Sequence, residues 1–245
     1  MKTIKSIFTI LILSVAFTTI SCDVEPIDPA LSFTDDGGDA DGDGGTSSGD
    51  YWPTAINNVW NMERDGLPLD PIKIIATGTF NGQTYYKFAP QSGTGTTASG
   101  TATTWLNKNG GNYKYKVDEF TFDAGGFSGT QSGFEYIVLK DNLDVGQTWS
   151  GTFTQTTTMT GIPSITMTTN YTGTILAKNV TEVVDGETYT NVIKVKLVQN
   201  ASISGMPAAT VETEAWYAKN VGPIKSVSTD SGIIYESILV DYTLF

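Results

Sequence analysis

Histidine is absent from the 245 residues, and cysteine and arginine occur once each. Without histidine there is no Ser-His-Asp triad, no Cys-His pair and no imidazole metal ligand. The single thiol, Cys22, excludes an internal disulfide, cysteine-ligated zinc and CxxC redox chemistry. Cations are scarce too: 14 Lys plus Arg stand against 26 Asp plus Glu, a formal charge of −12. A nucleic-acid backbone needs clustered positive charge, so that partner class is excluded. Glycine is plentiful, but no Gly-x-x-x-x-Gly-Lys loop exists to cradle a nucleotide phosphate.

What is present begins with Lys2 and Lys5, followed by the apolar run from Ile7 to Phe17. That run is too short to cross a bilayer as a helix and suits the core of a secretory signal peptide. It ends at Thr19-Ile20-Ser21-Cys22, which resembles the lipobox of bacterial lipoproteins, with Thr19 where an apolar residue is usual. In that family the cysteine is acylated and the chain is cut just before it. The resemblance implies a signal peptide over residues 1–21 and a lipid anchor on Cys22. Its partner would be a membrane. Each buried methylene contributes about 0.8 kcal/mol, so two or three acyl chains hold a protein almost permanently. Acidic residues directly behind Cys22 (Asp23, Glu25, Asp28) resemble the export signal of Bacteroidota surface lipoproteins. The implied location is the outer membrane, facing outward.

Nine of the 26 acidic residues and no basic one fall in residues 23–50, amid Gly, Ser and Thr. Such a stretch buries too little apolar surface to offset its chain entropy, so 22–50 is expected to be a lipidated, disordered tether. Within it, Asp39 to Asp50 resembles an EF-hand loop in its acidic spacing. It lacks flanking helices, has Thr46 at an apolar position and ends on Asp rather than Glu. A solvated spacer is the simpler reading, and no metal site or cofactor is expected.

From Tyr51 the composition turns to Thr, Val, Ile, Tyr and Trp. Ile193, Val195 and Leu197 alternate with Lys194 and Lys196; Tyr113, Tyr115 and Val117 alternate with Lys114 and Lys116. Between Thr152 and Tyr171 the odd positions include Phe153, Met159, Ile165 and Met167, and the even ones are largely Thr. Period-two patterning of this kind describes strands with one wet face. Asn81-Gly82 and Asp185-Gly186 are hairpin-turn dipeptides. The expectation is an all-β domain over 51–245: an antiparallel curved sheet, half-barrel or open barrel of about a dozen strands.

An order of Trp, hairpin and Trp-x-x-Lys-Asn-x-Gly occurs twice. Trp60, Asn81-Gly82 and Trp105 to Gly111 line up with Trp149, Asp185-Gly186 and Trp216 to Gly222. Lys114 and Lys225 each stand nine positions past their Trp. Residues 56–120 and 145–228 are therefore candidate duplicated halves sharing a core. Trp216-Tyr217-Ala218-Lys219-Asn220-Val221-Gly222-Pro223-Ile224-Lys225 also resembles a W-[YF]-A-x-x-V-G-x-[IV]-K block near the end of many uncharacterised cell-surface lipoproteins. The resemblance spans about 51–245 and implies similarity to lipoprotein-carrier half-barrels. Pro223 is a mild departure from the block. No catalytic residue carries over.

A glycosidase would need two carboxylates at a set separation. Glu212 and Glu214 share a strand face, and Asp118, Glu119, Glu135 and Glu236 are further candidates, yet nothing in sequence singles out a pair. The expected function is non-catalytic: a binding or carrier module for an apolar or glycan ligand. The alternative is a structural or interaction protein of the cell envelope with no small-molecule site. Trp105, Trp216 and Tyr217 are the candidate ligand-binding residues, with burial as core anchors the competing role for the two tryptophans.

Overall fold

The structure, a computed structural model, describes residues 44–92, 98–124 and 127–245. The leader, Cys22 and residues 39–43 of the EF-hand-like stretch lie outside the described residues. All regular structure within them is β.

The strands of the first half are β1 (Val59–Arg64), β2 (Leu67–Pro68), β3 (Ile72–Phe80), β4 (Gln83–Phe88), β5 (Gln91–Ser92), β6 (Ala98–Ala102), β7 (Thr104–Asn109) and β8 (Asn112–Val117). Next come β9 (Phe120–Ala124), β10 (Phe127–Gln131) and β11 (Phe134–Lys140). The second half has β12 (Thr148–Met159), β13 (Ile162–Val184), β14 (Glu187–Ile203), β15 (Ala209–Ala218), β16 (Gly222–Asp230) and β17 (Ile233–Thr243).

Every ladder is antiparallel. β12 to β17 form a six-stranded meander in chain order. β17 then pairs with β1, and β1 with the start of β3. The sheet continues β3–β4–β7–β8–β11. These are twelve principal strands. The other five are short: β2 lies on β1, and β10, β9, β6 and β5 extend the sheet from the distal part of β12. The result is one large curved antiparallel sheet that does not close into a barrel.

The pairing order β1–β3–β4–β7–β8–β11 is the order β12–β13–β14–β15–β16–β17 repeated strand for strand. Asn81-Gly82 joins β3 to β4, and Asp185-Gly186 joins β13 to β14; φ is 50° and 77° in the first turn, 49° and 81° in the second. Positive φ at both centres is the twist-matched turn that an Asn-Gly or Asp-Gly pair supplies. The match is looser at the second motif. A two-residue turn joins β7 to β8, whereas Lys219-Asn220-Val221 joins β15 to β16 with a bulge at Trp216/Tyr217. Trp105 therefore pairs with Lys116 and Trp216 with Lys225. Lys116, rather than Lys114, is the structural counterpart of Lys225.

The open seam lies between β11 and β12, and side chains span it. The Trp149 indole Nε1 donates to the carbonyl of Ile137 at 3.1 Å. Trp149 needs glycine opposite it: a Cβ on Gly173 would fall 2.2 Å from the indole. Packing density explains the requirement, since no ring can yield that much space.

The boundary at residue 51 needs correction. Residues 44–50, assigned above to the tether, are packed on the fold. Buried Asp141 accepts from Ser47 Oγ at 2.6 Å and from the Ser48 amide at 2.9 Å. Lys108 pairs with Asp50 at 2.7 Å, Lys219 donates to the Ser48 carbonyl, and Gly111 donates to the Gly44 carbonyl. Polar groups rather than apolar ones hold this stretch, which is why its composition reads as a spacer.

Candidate functional site

The concave face is filled largely by aromatic rings. Trp52 packs on Trp60, Phe88 and Tyr217, with centroids 5.7–6.4 Å apart. From Phe88 the contacts run through Tyr115 and Tyr136 to Phe153 and Tyr171. Phe134 stacks on Phe153 at 4.8 Å. The chain of rings crosses from β11 to β12, so aromatic packing replaces backbone pairing at the seam.

Burial raises the phenol pKa of Tyr115, Tyr136 and Tyr217 above the usual value, with neighbouring tyrosines adding to the effect at Tyr136. Unfolded tyrosines ionise near pH 10. Above that pH the unfolded chain releases protons that the native state keeps, so the contribution of these tyrosines is constant below about pH 10 and stability falls as pH rises beyond it. Phenolate absorbance is expected to show these tyrosines titrating only together with loss of near-ultraviolet circular dichroism. A gradual native-state titration of all eleven tyrosines would contradict the packing.

At the distal end, where β9 and β10 join β12, a cleft of about 850 Å³ opens. Its walls present the hydroxyls of Thr101, Thr121, Ser128, Thr130, Thr158 and Thr160, with one carboxylate, Asp123. Ser128 Oγ donates to that carboxylate at 3.2 Å. On the opposite face of the same strands Phe122 and Met159 form a small cluster with Phe120 and Ile162, separate from the main core. The volume lies in the range of small-molecule sites. Hydroxyls that both donate and accept, beside a lone carboxylate, match a polyhydroxyl surface better than a lipid tail.

Between that cluster and the aromatic core lies a band of buried polar side chains: Gln131, Gln155, Thr157, Thr169 and Gln199. They occupy inward positions of β10, β12, β13 and β14. On β12 the inward order is Trp149, Phe153, Gln155, Thr157 and Met159, from the core to the distal end of the strand.

Trp105 and Trp216 lie in different halves, and both are buried on the convex face, outside the concavity. Lys87 sits over the Trp105 ring at 5.4 Å; Lys194 and Lys225 sit over Trp216 at 4.5 and 5.4 Å. Each indole Nε1 donates to a carboxylate, Asp118 for Trp105 and Glu182 for Trp216. Lysine stems and cation–π contacts thus cover the rings. Tyr217 faces the opposite way, into the core against Trp52. The three do not form a common site.

The candidate carboxylates are also apart from the cleft. Glu212 pairs with Lys196, Glu214 with Lys194, Glu236 with Lys225, Asp118 with Lys116, and Glu135 with Lys114. Among the described residues, no group of three or more His, Cys, Asp or Glu is placed to hold a metal. The cleft hydroxyls and the glutamines were missed in sequence. The hydroxyls come from chain segments distant in order, and the one available signal was Gln155 falling on the apolar phase of β12.

No family model and no curated protein matches the chain. Two solved structures are similar to it. A candidate lipoprotein of Parabacteroides distasonis superposes with a TM-score of 0.50 at 10% identity, covering 80% of this chain and 99% of that one. A candidate exported protein of Bacteroides fragilis with a YmcC-like fold gives 0.47 at 10% identity, covering 80% and 100%. At this identity the likeness is one of fold: a curved, open antiparallel sheet.

Proposed function

We propose that this protein is an outer-membrane lipoprotein, anchored through Cys22 and facing the cell exterior, that binds a neutral glycan without catalysis. The observation that carries the reading is the distal cleft, with six hydroxyl side chains and a single carboxylate around about 850 Å³. The leader, the lipobox-like Thr19 to Cys22 and the acidic residues behind it support the location. A fold similar to that of a candidate Bacteroidota lipoprotein agrees with the envelope context. The ring-packed concavity leaves the glycan as the favoured ligand over an apolar cargo. The matching strand order of the two halves is best read as a duplication.

The test is calorimetric titration of the full-length protein in detergent with a panel of neutral di- to tetrasaccharides. At least one is expected to bind. Thr158→Trp, at an exposed position on the cleft wall, should abolish that binding while leaving the melting temperature unchanged. A panel without a binder would instead favour an envelope interaction protein.

A further inference from the structure

The hydroxyls do not end at the cleft. On β12 every outward position from Thr148 to Thr158 is Thr or Ser, and on β13 every one from Thr166 to Thr174 is Thr or Asn. Register carries the pattern across the sheet. Thr152, Asn170, Asn200 and Thr210 stand opposite one another on β12, β13, β14 and β15. Thr154, Thr168 and Ser202 form the next row toward the distal end. Thr152 Oγ1 donates to Asn170 Oδ1 at 2.7 Å and Thr210 Oγ1 to Asn200 Oδ1 at 2.8 Å. These rows share the outward phase of Lys194 and Lys196, so they lie on the convex face. The cleft row Thr121, Thr130 and Thr158 joins them, because Thr158 follows Thr154 and Thr156 in the same phase of β12 and its Oγ1 is 3.3 Å from Ser164 Oγ on β13. Cleft and rows are one continuous surface, about 20 Å along β12 from Thr158 to Thr152 and about 14 Å across from Thr152 to Thr210.

Threonine favours strands, but a solvated strand face ordinarily mixes charges among its polar residues. The same sheet does so a few residues away, where Lys194, Lys196, Glu212 and Glu214 pair on the outward phase of β14 and β15. Between Thr148 and Thr158, and between Thr166 and Thr174, no charged residue interrupts the outward phase. We propose that this neutral field extends the cleft into a track for a polysaccharide chain, so that the ligand is a polymer rather than a short oligosaccharide. The inference rests on the glycan reading and deepens it. Hydroxyls donate and accept, and each asparagine that accepts through Oδ1 still presents two amide N–H donors, which complements the hydroxyl edge of a sugar chain. The field offers no cation for a uronic acid or a sulfated sugar. Each exposed row contributes little alone. On a chain already held in the cleft, however, every further contact is intramolecular and gains from effective concentration.

Chain length separates the track from the cleft. The probes are xylo-, malto- and laminari-oligosaccharides, each as tetramer and decamer, titrated calorimetrically into the full-length protein in detergent. In a series that binds, the decamer should bind roughly thirtyfold or more tighter than the tetramer, beyond what the alternative registers of a longer chain supply. Asn170→Ala with Asn200→Ala, and separately Thr154→Val with Thr168→Val, should cut that gain to less than about tenfold. Neither pair should change the tetramer Kd, because none of the four residues lines the cleft. Thr154, Asn170 and Asn200 are exposed and Thr168 is half-buried, so melting temperatures should change little. The valines are nearly isosteric with threonine and guard against a packing defect in the alanine pair. Equal Kd for tetramer and decamer in wild type, or a full gain that persists in both double variants, would overturn the track and leave the cleft reading standing. If no probe of either length binds, the glycan reading itself falls.

Discussion

Trp60→Ala is expected to lower the unfolding free energy by about 3–5 kcal/mol, the range for deleting a large buried aromatic. Trp60 is fully buried, and its Nε1 donates to the Val221 carbonyl at 2.7 Å. It also sits where the halves meet, since β1 pairs with β17 on one side and β3 on the other. The ring fits against Gly222, where a Cβ would lie 2.9 Å from the indole nitrogen, so neighbours cannot easily collapse into the space left behind. For a domain of this size the loss corresponds to a fall of roughly 6–20 °C in melting temperature. Trp60→Phe should recover most of the packing and lose mainly the hydrogen bond, worth about 0.5–1.5 kcal/mol. Urea unfolding of both variants checks the ordering. A loss below about 1 kcal/mol in Trp60→Ala would show that the two halves do not depend on this junction.

Cys22→Ser should move the protein from the membrane fraction to the soluble one and abolish labelling by a fatty-acid analogue. The magnitude follows from the chains themselves. One acyl chain gives marginal, reversible binding, whereas two or three make release negligible, so loss of the thiol changes partitioning by orders of magnitude. No other cysteine can substitute. External protease on intact cells tests the orientation, because a periplasm-facing protein would survive it. Membrane association that persists in Cys22→Ser would remove the lipoprotein reading.

The all-β class was legible because alternation is a local property. Ile193, Val195 and Leu197 read as one buried face and are one. Turn chemistry was legible at Asn81-Gly82 and Asp185-Gly186 for the same reason. Trp105 and Trp216 read correctly as buried but not as convex. Their neighbours Leu106 and Tyr217 hold the inward phase, and lysines from adjacent strands cover the indoles; only the pairing partners reveal that. The cleft was illegible because its walls join β6, β9, β10 and β12, whose adjacency is set by long-range pairing. The band of buried polar side chains was illegible because a glutamine on an apolar phase looks like an exception until its neighbours on β10 and β13 are known.

The docked stretch 44–50 fixes more than the N-terminal boundary. It joins the fold at the end that holds the 110–111 and 219–221 turns and Asp141, while the cleft lies at the other end of β12. If Cys22 carries the lipid anchor proposed above, residues 23–43 join it to the domain, and 21 residues reach at most about 75 Å. Tension on that connection would then pull on the proximal rim, and the molecule would ride like a buoy with the cleft pointing away from the bilayer. A polymer approaching from the medium would meet the hydroxyl-lined mouth before it met the lipid headgroups.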